Sequence, residues 1–125
     1  MKAHFVLAAA LPMLLMIACT GGRALPPYRV ATGGDARAGK NVIQSSGCGA
    51  CHTIPGIHAA NGELGPPLNS FSRRTMIAGE LPNTPDNLVR WIENPPSVES
   101  GTAMPNLGLD DKQARDAAAY LYTLR

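Results

Sequence analysis

Two cysteines and a histidine near the middle of the chain have the types and the spacing needed to hold a redox cofactor. Cys48 and Cys51 are separated by two residues, and His52 follows the second cysteine directly. Thiols at this spacing can form thioether bonds to the two vinyl groups of a haem, and the adjacent imidazole can then reach the iron from one face. The segment therefore predicts covalent attachment of one c-type haem.

The C-x-x-C spacing has other uses, which the rest of the sequence helps to weigh. A structural disulfide, a thioredoxin-like redox pair and half of a zinc site all share it. Zinc would need two further ligands. The chain has three cysteines and three histidines, and since Cys19 and His4 fall in an N-terminal targeting segment, only His58 remains as a spare ligand. A thioredoxin-like site expects a βαβ pattern, and none is apparent. Haem attachment is the favoured interpretation.

The N-terminus indicates export from the cytoplasm. Residues 1–18 begin with a basic residue and continue as an apolar stretch that is short for a membrane-spanning helix, so they predict a cleaved signal peptide. The stretch ends at Cys19 in a pattern that resembles a bacterial lipobox, which predicts lipidation of that cysteine. The alternative is cleavage after Ala24, which would release a soluble periplasmic protein. Lipid anchorage is favoured, because it accounts for the third cysteine.

Composition and charge limit the roles open to the chain beyond the signal peptide. The Gly- and Pro-rich residues 19–34 predict a flexible, lipid-anchored linker, and residues 35–125 are enough for one small core. Those 91 residues hold eight Lys/Arg against nine Asp/Glu, a net charge of −1, although the whole chain carries +2. This balance argues against nucleic-acid binding and against a broadly basic docking face. We expect docking to use a small apolar patch around the exposed haem edge.

Helix start and stop signals predict three helices joined by loops, and hence an all-α fold. Residues 35–46 suit a first helix with Asp35 at its start. Thr84 and Pro85 begin a second helix that ends at about Glu93, before two further prolines. Asp110 begins a last helix that ends near residue 124. No stretch alternates polar and apolar residues over the length of a strand.

At this point the domain resembles a class I, single-haem c-type cytochrome over its whole length. The matching segments, in chain order, are Gly39 in the first helix, the haem-attachment motif, Gly65-Pro66-Pro67-Leu68, Met104-Pro105, and Ala119-Tyr120-Leu121 in the last helix. Residues 77–92 are more narrowly similar to the cytochrome c domain fused to subunit II of some haem–copper oxidases. The resemblance implies a cytochrome c fold in which the first and last helices cross at Gly39, while a middle helix and loops surround one covalent haem.

The resemblance also implies the two iron ligands. His52 would be the proximal ligand, oriented by a hydrogen bond to the carbonyl of Pro66, and Leu68 would complete that haem-binding segment. Met104 would be the sixth ligand, and a neutral thioether there favours the reduced iron and raises the reduction potential. Met76 is the rival methionine, with core packing as its expected role. His58 is expected to be a surface histidine.

The anionic haem propionates need hydrogen-bond donors, and four side chains are candidates. A guanidinium can bind a carboxylate through two parallel hydrogen bonds, which suits Arg73 and Arg74. The indole N–H of Trp91 and the amide of Asn83 could each donate one more. The other interpretation is a solvated pair of charges for the arginines and simple core packing for Trp91.

These features predict a one-electron carrier rather than an enzyme, because two filled axial positions leave the iron no site for substrate. By resemblance its partners would be redox proteins such as a terminal oxidase, a quinol-oxidising complex or a dehydrogenase, and it would work on the periplasmic side of a bacterial membrane. One alternative is a haem enzyme or gas sensor whose distal site is open or whose ligand is displaceable. Another is a cytochrome subunit dedicated to one periplasmic dehydrogenase.

Overall fold

A computed structural model describes residues 31–125, so the predicted signal peptide, Cys19 and most of the predicted linker lie outside the described residues. The four helices are α1 (Ala36–Ser45), α2 (Pro85–Glu93), α3 (Pro95–Val98) and α4 (Asp111–Leu121). Single 3₁₀ turns lie at Cys48–Ala50 and Phe71–Arg73, and an antiparallel pair of two-residue strands joins β1 (Met76–Ile77) to β2 (Leu81–Pro82). Within these residues no helix combines the length and the apolar composition needed to cross a bilayer.

The three predicted helices are present, and polar caps begin each of them. The Asp35 side chain accepts a hydrogen bond from the amide of Ala38 (2.7 Å) at the start of α1. The Thr84 hydroxyl caps α2, which opens with a proline. Asp110 and Gln113 form a reciprocal capping box at α4. Two elements go beyond the prediction: the short helix α3 begins at the prolines expected to end α2, and the β1–β2 hairpin is too short for an alternating pattern to reveal it.

Helices α1 and α4 cross where a residue without a side chain permits close approach. Gly39 is buried, and a Cβ added there would lie 1.8 Å from the carbonyl oxygen of Asp116. Ile43 from α1 and Ala114, Ala117 and Ala118 from α4 are buried in the adjoining core. The small α4 side chains let the two helices approach each other closely. The predicted all-α architecture, with the first and last helices crossing at Gly39, is therefore confirmed.

The segment that enters the domain is packed against α4 from Thr32 onward. Thr32 is only 3% exposed; its hydroxyl donates to the carbonyl of Arg115 (3.1 Å), and the Arg115 guanidinium donates back to the carbonyl of Thr32 (3.1 Å). The amide of Asp35 donates to the buried carboxylate of Asp116 (2.7 Å). A Cβ on Gly34 would lie 2.2 Å from the Arg115 carbonyl oxygen. Gly34 therefore permits close packing on α4, and among the described residues this packing begins three residues before the predicted boundary at residue 35.

Candidate functional site

One cavity of about 710 Å³ lies between the helices and the loops that join them. Its wall is mainly apolar. The lining residues belong to α1, α2 and α4, to the hairpin, and to the segments 47–74 and 99–109. Ile43, Ile54, Leu88, Ile92 and Leu121 form much of its buried floor. The sequence-predicted residues that line it are Cys48, Cys51, His52, Pro66, Leu68, Arg74, Trp91 and Met104.

The two cysteines reach the cavity from the turn that follows α1. Gly47 ends the helix with a positive φ of 72°, a conformation that glycine adopts at little cost. The 3₁₀ turn then brings the amides of Cys51 and His52 onto the carbonyl of Cys48 (3.2 and 3.0 Å). The two thiols are not joined to each other. Burial raises the pKa of the Cys48 thiol, so that side chain is kept neutral in its apolar surroundings.

The ring of His52 is held in one orientation by two contacts. Its Nδ1 donates to the carbonyl oxygen of Pro66 at 2.8 Å. Since a carbonyl can only accept, Nδ1 must carry the proton, and Nε2 keeps its lone pair for a metal. Gly65 lies against the ring, and a Cβ there would be 2.3 Å from the ring carbon Cε1. The sequence-predicted pair of His52 and Pro66 is therefore brought together.

Two methionines line the cavity: Met104, the predicted sixth ligand, and Met76, its rival. Met104 is half-buried in the loop before α4, where its amide donates to the Thr102 hydroxyl (3.1 Å). Met76 belongs to β1 and is 43% exposed at the cavity rim. His58 is exposed and lies outside the lining, with its backbone bonded to Gln44.

The four candidate propionate donors divide into two pairs. Arg74 and Trp91 line the cavity, whereas Arg73 and Asn83 do not. The Asn83 amide instead donates to the carbonyls of Arg74 (2.9 Å) and Phe71 (3.3 Å), and its oxygen accepts from the Tyr122 hydroxyl (2.7 Å). The side-chain donors and the acceptor of Asn83 are thus bonded within the protein, where they hold the loop in shape, and its propionate role stays a prediction.

Some lining residues carried no signal that sequence reasoning could use. Glu99 and Thr102 are polar side chains of the loop before Met104, and nothing in their spacing marks them. Leu64 and Leu107 are 87% and 41% exposed at the rim. An exposed leucine in a loop is common in proteins, so only the fold reveals that these two leucines and Met76 surround the same opening.

The residues present fit a covalent haem. The cavity wall is apolar, as a porphyrin requires, and it carries two unpaired thiols, an imidazole with a free Nε2, a thioether and a guanidinium. Of the lining side chains in the described part of the chain, Arg74 alone is a Lys or Arg. The Cβ that Gly65 lacks would fill the space beside the His52 ring, so the ring is framed by the backbone of that loop.

Known proteins resemble this chain in the same region. Residues 36–125 match the Cytochrome c family. Cytochrome c oxidase subunit 2 of Alkalihalophilus pseudofirmus is 34% identical over 93 residues, and that of Bacillus sp. strain PS3 is 30% identical over 94 residues. The same subunit of Bacillus subtilis strain 168 is 26% identical over 94 residues. Each match covers 72% of this chain and 26% of the relative, so the chain spans about a quarter of the length of these relatives. No solved structure is significantly similar to it.

Proposed function

Because this chain belongs to the cytochrome c family, with a covalently bound haem c and electron transfer as its chemistry, we propose that it is a one-electron carrier of a bacterial respiratory chain. In this proposal His52 and Met104 would both bind the haem iron, and the protein would have no catalytic turnover of its own. The domain is tethered through Cys19 to the outer face of the membrane.

The observation that carries the proposal is the grouping of four side chains around one apolar cavity. When bound, the haem supplies a one-electron couple at its iron. Cys48 and Cys51 would hold it in place, and His52 would present the lone pair of Nε2, because Nδ1 donates its hydrogen to the carbonyl of Pro66. Met104 contributes a neutral sulfur, which favours the reduced state and raises the potential. If His52 and Met104 both bound the iron, no site on it would remain for a substrate or a gas.

The optical spectrum of the exported, haem-loaded protein tests this ligation. We expect c-type reduced bands and, in the oxidised protein, the weak long-wavelength band of a methionine–ferric bond. Met104→Ala should abolish that band, whereas the matched variant Met76→Ala should retain it. The reduced wild-type protein should bind carbon monoxide slowly. A high-spin spectrum or rapid binding of carbon monoxide in the wild type would instead favour an enzyme or gas sensor with an open distal site.

A terminal oxidase is the proposed partner, because the relatives of this chain are subunits of cytochrome c oxidase. The opening of the cavity supports an apolar rather than an electrostatic docking face. Leu64, Met76 and Leu107 are exposed there. Among residues 31–125, the charged residues of the lining are Arg74 and Glu99, which are half-buried and carry opposite charges. The protein side chains at the face that would meet the partner therefore carry little net charge.

Stopped-flow oxidation of the reduced protein by a purified oxidase tests the docking face. The second-order rate constant should change little with ionic strength, since few exposed charges are screened. Leu64→Asp should lower it about tenfold, because the new carboxylate must be desolvated in the complex. Asn41→Asp makes the same change of charge at an exposed site on α1, away from the cavity, and should leave the rate constant nearly unchanged. A steep fall with salt would count against an apolar docking face.

The tether is tested separately from the electron-transfer domain. Cells expressing the full chain should incorporate labelled palmitate into it, and Cys19→Ala should abolish that incorporation and release the haem protein into the soluble periplasmic fraction. A wild-type protein that is already soluble would mean that cleavage occurs further along the chain, after Ala24.

A further inference from the structure

The backbone that orients His52 contains two consecutive prolines, and this limits how it can be held. Pro66 and Pro67 have no amide hydrogen to donate, so their carbonyl oxygens are their only backbone hydrogen-bonding groups. The flanking residues are anchored through their amides: Gly65 donates to the carbonyl of Cys51 and Leu68 to that of Thr53, both at 2.8 Å. Between these anchors, both prolines are exposed. Any further hydrogen-bond restraint on the pair must therefore act through the two carbonyls.

Each of those carbonyls has one side-chain partner among the described residues. The Pro66 oxygen accepts from Nδ1 of His52, and the Pro67 oxygen accepts from Nη2 of Arg74. A hydrogen bond from a charged donor is stronger than one between neutral groups. The Arg74 guanidinium thus holds the Pro-Pro segment one residue along the chain from the carbonyl that orients the imidazole.

Arg74 is itself held in place by the surrounding fold. Its guanidinium carbon lies 5.4 Å from the centre of the Phe71 ring, within the range of a cation–π contact. Its backbone carbonyl accepts from the amide of Asn83 (2.9 Å), and the Asn83 oxygen accepts from the Tyr122 hydroxyl (2.7 Å). The ring of Tyr122 meets that of Phe71 edge-on, with 5.8 Å between centroids. These contacts connect the end of α4 to the guanidinium.

We propose that Arg74 is a positioning residue for the iron ligand. By donating a hydrogen bond to the Pro67 carbonyl, it keeps the Pro66 carbonyl within hydrogen-bonding distance of Nδ1 of His52. This role rests on the proposed ligation of iron by His52. It differs from the propionate role predicted from sequence, because it acts through the protein backbone. The proposed role belongs to Arg74 and not to the adjacent Arg73, since Arg73 is exposed and lies outside the cavity lining.

Hydrogen exchange at Nδ1 of His52 tests the role directly. The measurement uses ¹⁵N-labelled, haem-loaded, reduced protein, in which the Nδ1–H signal is followed by NMR after transfer to D₂O. Arg74→Gln and Arg74→Lys should each speed this exchange about tenfold, which corresponds to a loss of ~1.4 kcal/mol in the free energy that keeps the bond closed. Arg73→Gln, the matched control, should exchange at the wild-type rate. The lysine variant keeps the charge, so a change of charge cannot produce its effect.

The outcomes separate this role from the alternatives. Unchanged exchange in Arg74→Lys and Arg74→Gln, with or without a shift in the propionate pKa, would overturn the positioning role. Equal acceleration in Arg73→Gln would also overturn it, because the effect would then be a general loosening of the turn. The methionine–ferric band is recorded on an oxidised portion of every sample. Its absence from the wild type would refute the proposed His52/Met104 ligation, whereas its presence beside unchanged exchange would refute only the role of Arg74.

Discussion

Replacing Gly65 by alanine should disturb the proposed iron ligand without touching the haem attachment. The added Cβ would lie 2.3 Å from Cε1, 2.6 Å from Nδ1 and 2.9 Å from Nε2 of His52. Ordinary van der Waals contact begins at 3.4 Å, so the ring or the loop must move by about 1 Å to relieve the overlap. The bond from Nδ1 to the Pro66 oxygen is 2.8 Å long, and a displacement of that size takes it beyond hydrogen-bonding range.

The expected size of the effect is set by the lost bond. A net hydrogen-bond contribution of ~0.5–1.5 kcal/mol corresponds to roughly 20–60 mV for a one-electron couple. Because the bond makes the imidazole a more basic ligand, which favours ferric iron, its loss should raise the reduction potential by up to that amount. Overpacking should also lower the free energy of unfolding by ~1–3 kcal/mol.

Potentiometric titration and urea denaturation of the haem-loaded protein measure the two effects of Gly65→Ala. Gly101→Ala is the control, since a Cβ there meets only the carboxylate oxygen of Glu99, at 3.2 Å, and the change should leave both quantities near their wild-type values. A Gly65→Ala protein with the wild-type potential and stability would refute the reasoning, because the close contact between Gly65 and the ring would then place no constraint on His52.

Three further predictions concern the scaffold. Gly39→Ala should lower the free energy of unfolding by at least ~1–3 kcal/mol, because its Cβ would lie 1.8 Å from the Asp116 carbonyl oxygen; an unchanged urea midpoint would contradict the close crossing of α1 and α4. The hydrogen bond from Lys112 holds the pKa of Asp116 below its usual value, against the opposing effect of burial. A carboxyl group whose pKa is lower in the folded than in the unfolded chain stabilises the fold at pH values above its unfolded pKa, and this contribution is lost as the pH falls through its folded pKa. The free energy of unfolding should therefore decrease below about pH 4. Asp116→Asn should flatten this acid limb in denaturation curves. Burial raises the pKa of Tyr122 to about 12, so its stabilising contribution should be lost as pH rises from ~10 towards that value. Absorbance titration should show one late-ionising tyrosine that is missing in Tyr122→Phe, and the same late step in both proteins would contradict its assignment.

Features encoded in adjacent residues could be predicted from sequence. The three helices begin at Asp, Thr and Asp caps that are visible in the sequence, and they lie within about three residues of the predicted ends. The family resemblance led from short motifs to the pair of His52 and Pro66, which the fold brings to 2.8 Å although fourteen positions separate them. The roles of His52 and Met104 as iron ligands remain predictions.

Features that depend on side-chain direction could not be predicted in the same way. Arg73 and Arg74 are neighbours with identical chemistry, and only the geometry of the 3₁₀ turn decides which of them faces the cavity. Asn83 resembled a free donor in the sequence, whereas long-range packing places Tyr122 and two carbonyls around it. The packing of Thr32 on α4 likewise depends on Arg115, 83 positions away. Composition alone described that segment as a linker.

The fixed entry segment also makes this domain suited to being joined to other proteins. Thr32 and Asp35 are hydrogen-bonded to Arg115 and Asp116 of α4, so the point at which the chain enters the domain is fixed on that helix. None of these four residues lines the cavity or its rim. A lipid, a spacer or an unrelated domain could therefore be exchanged upstream of residue 32 without altering the proposed docking face, which would let one cytochrome module serve different assemblies through its attachment alone.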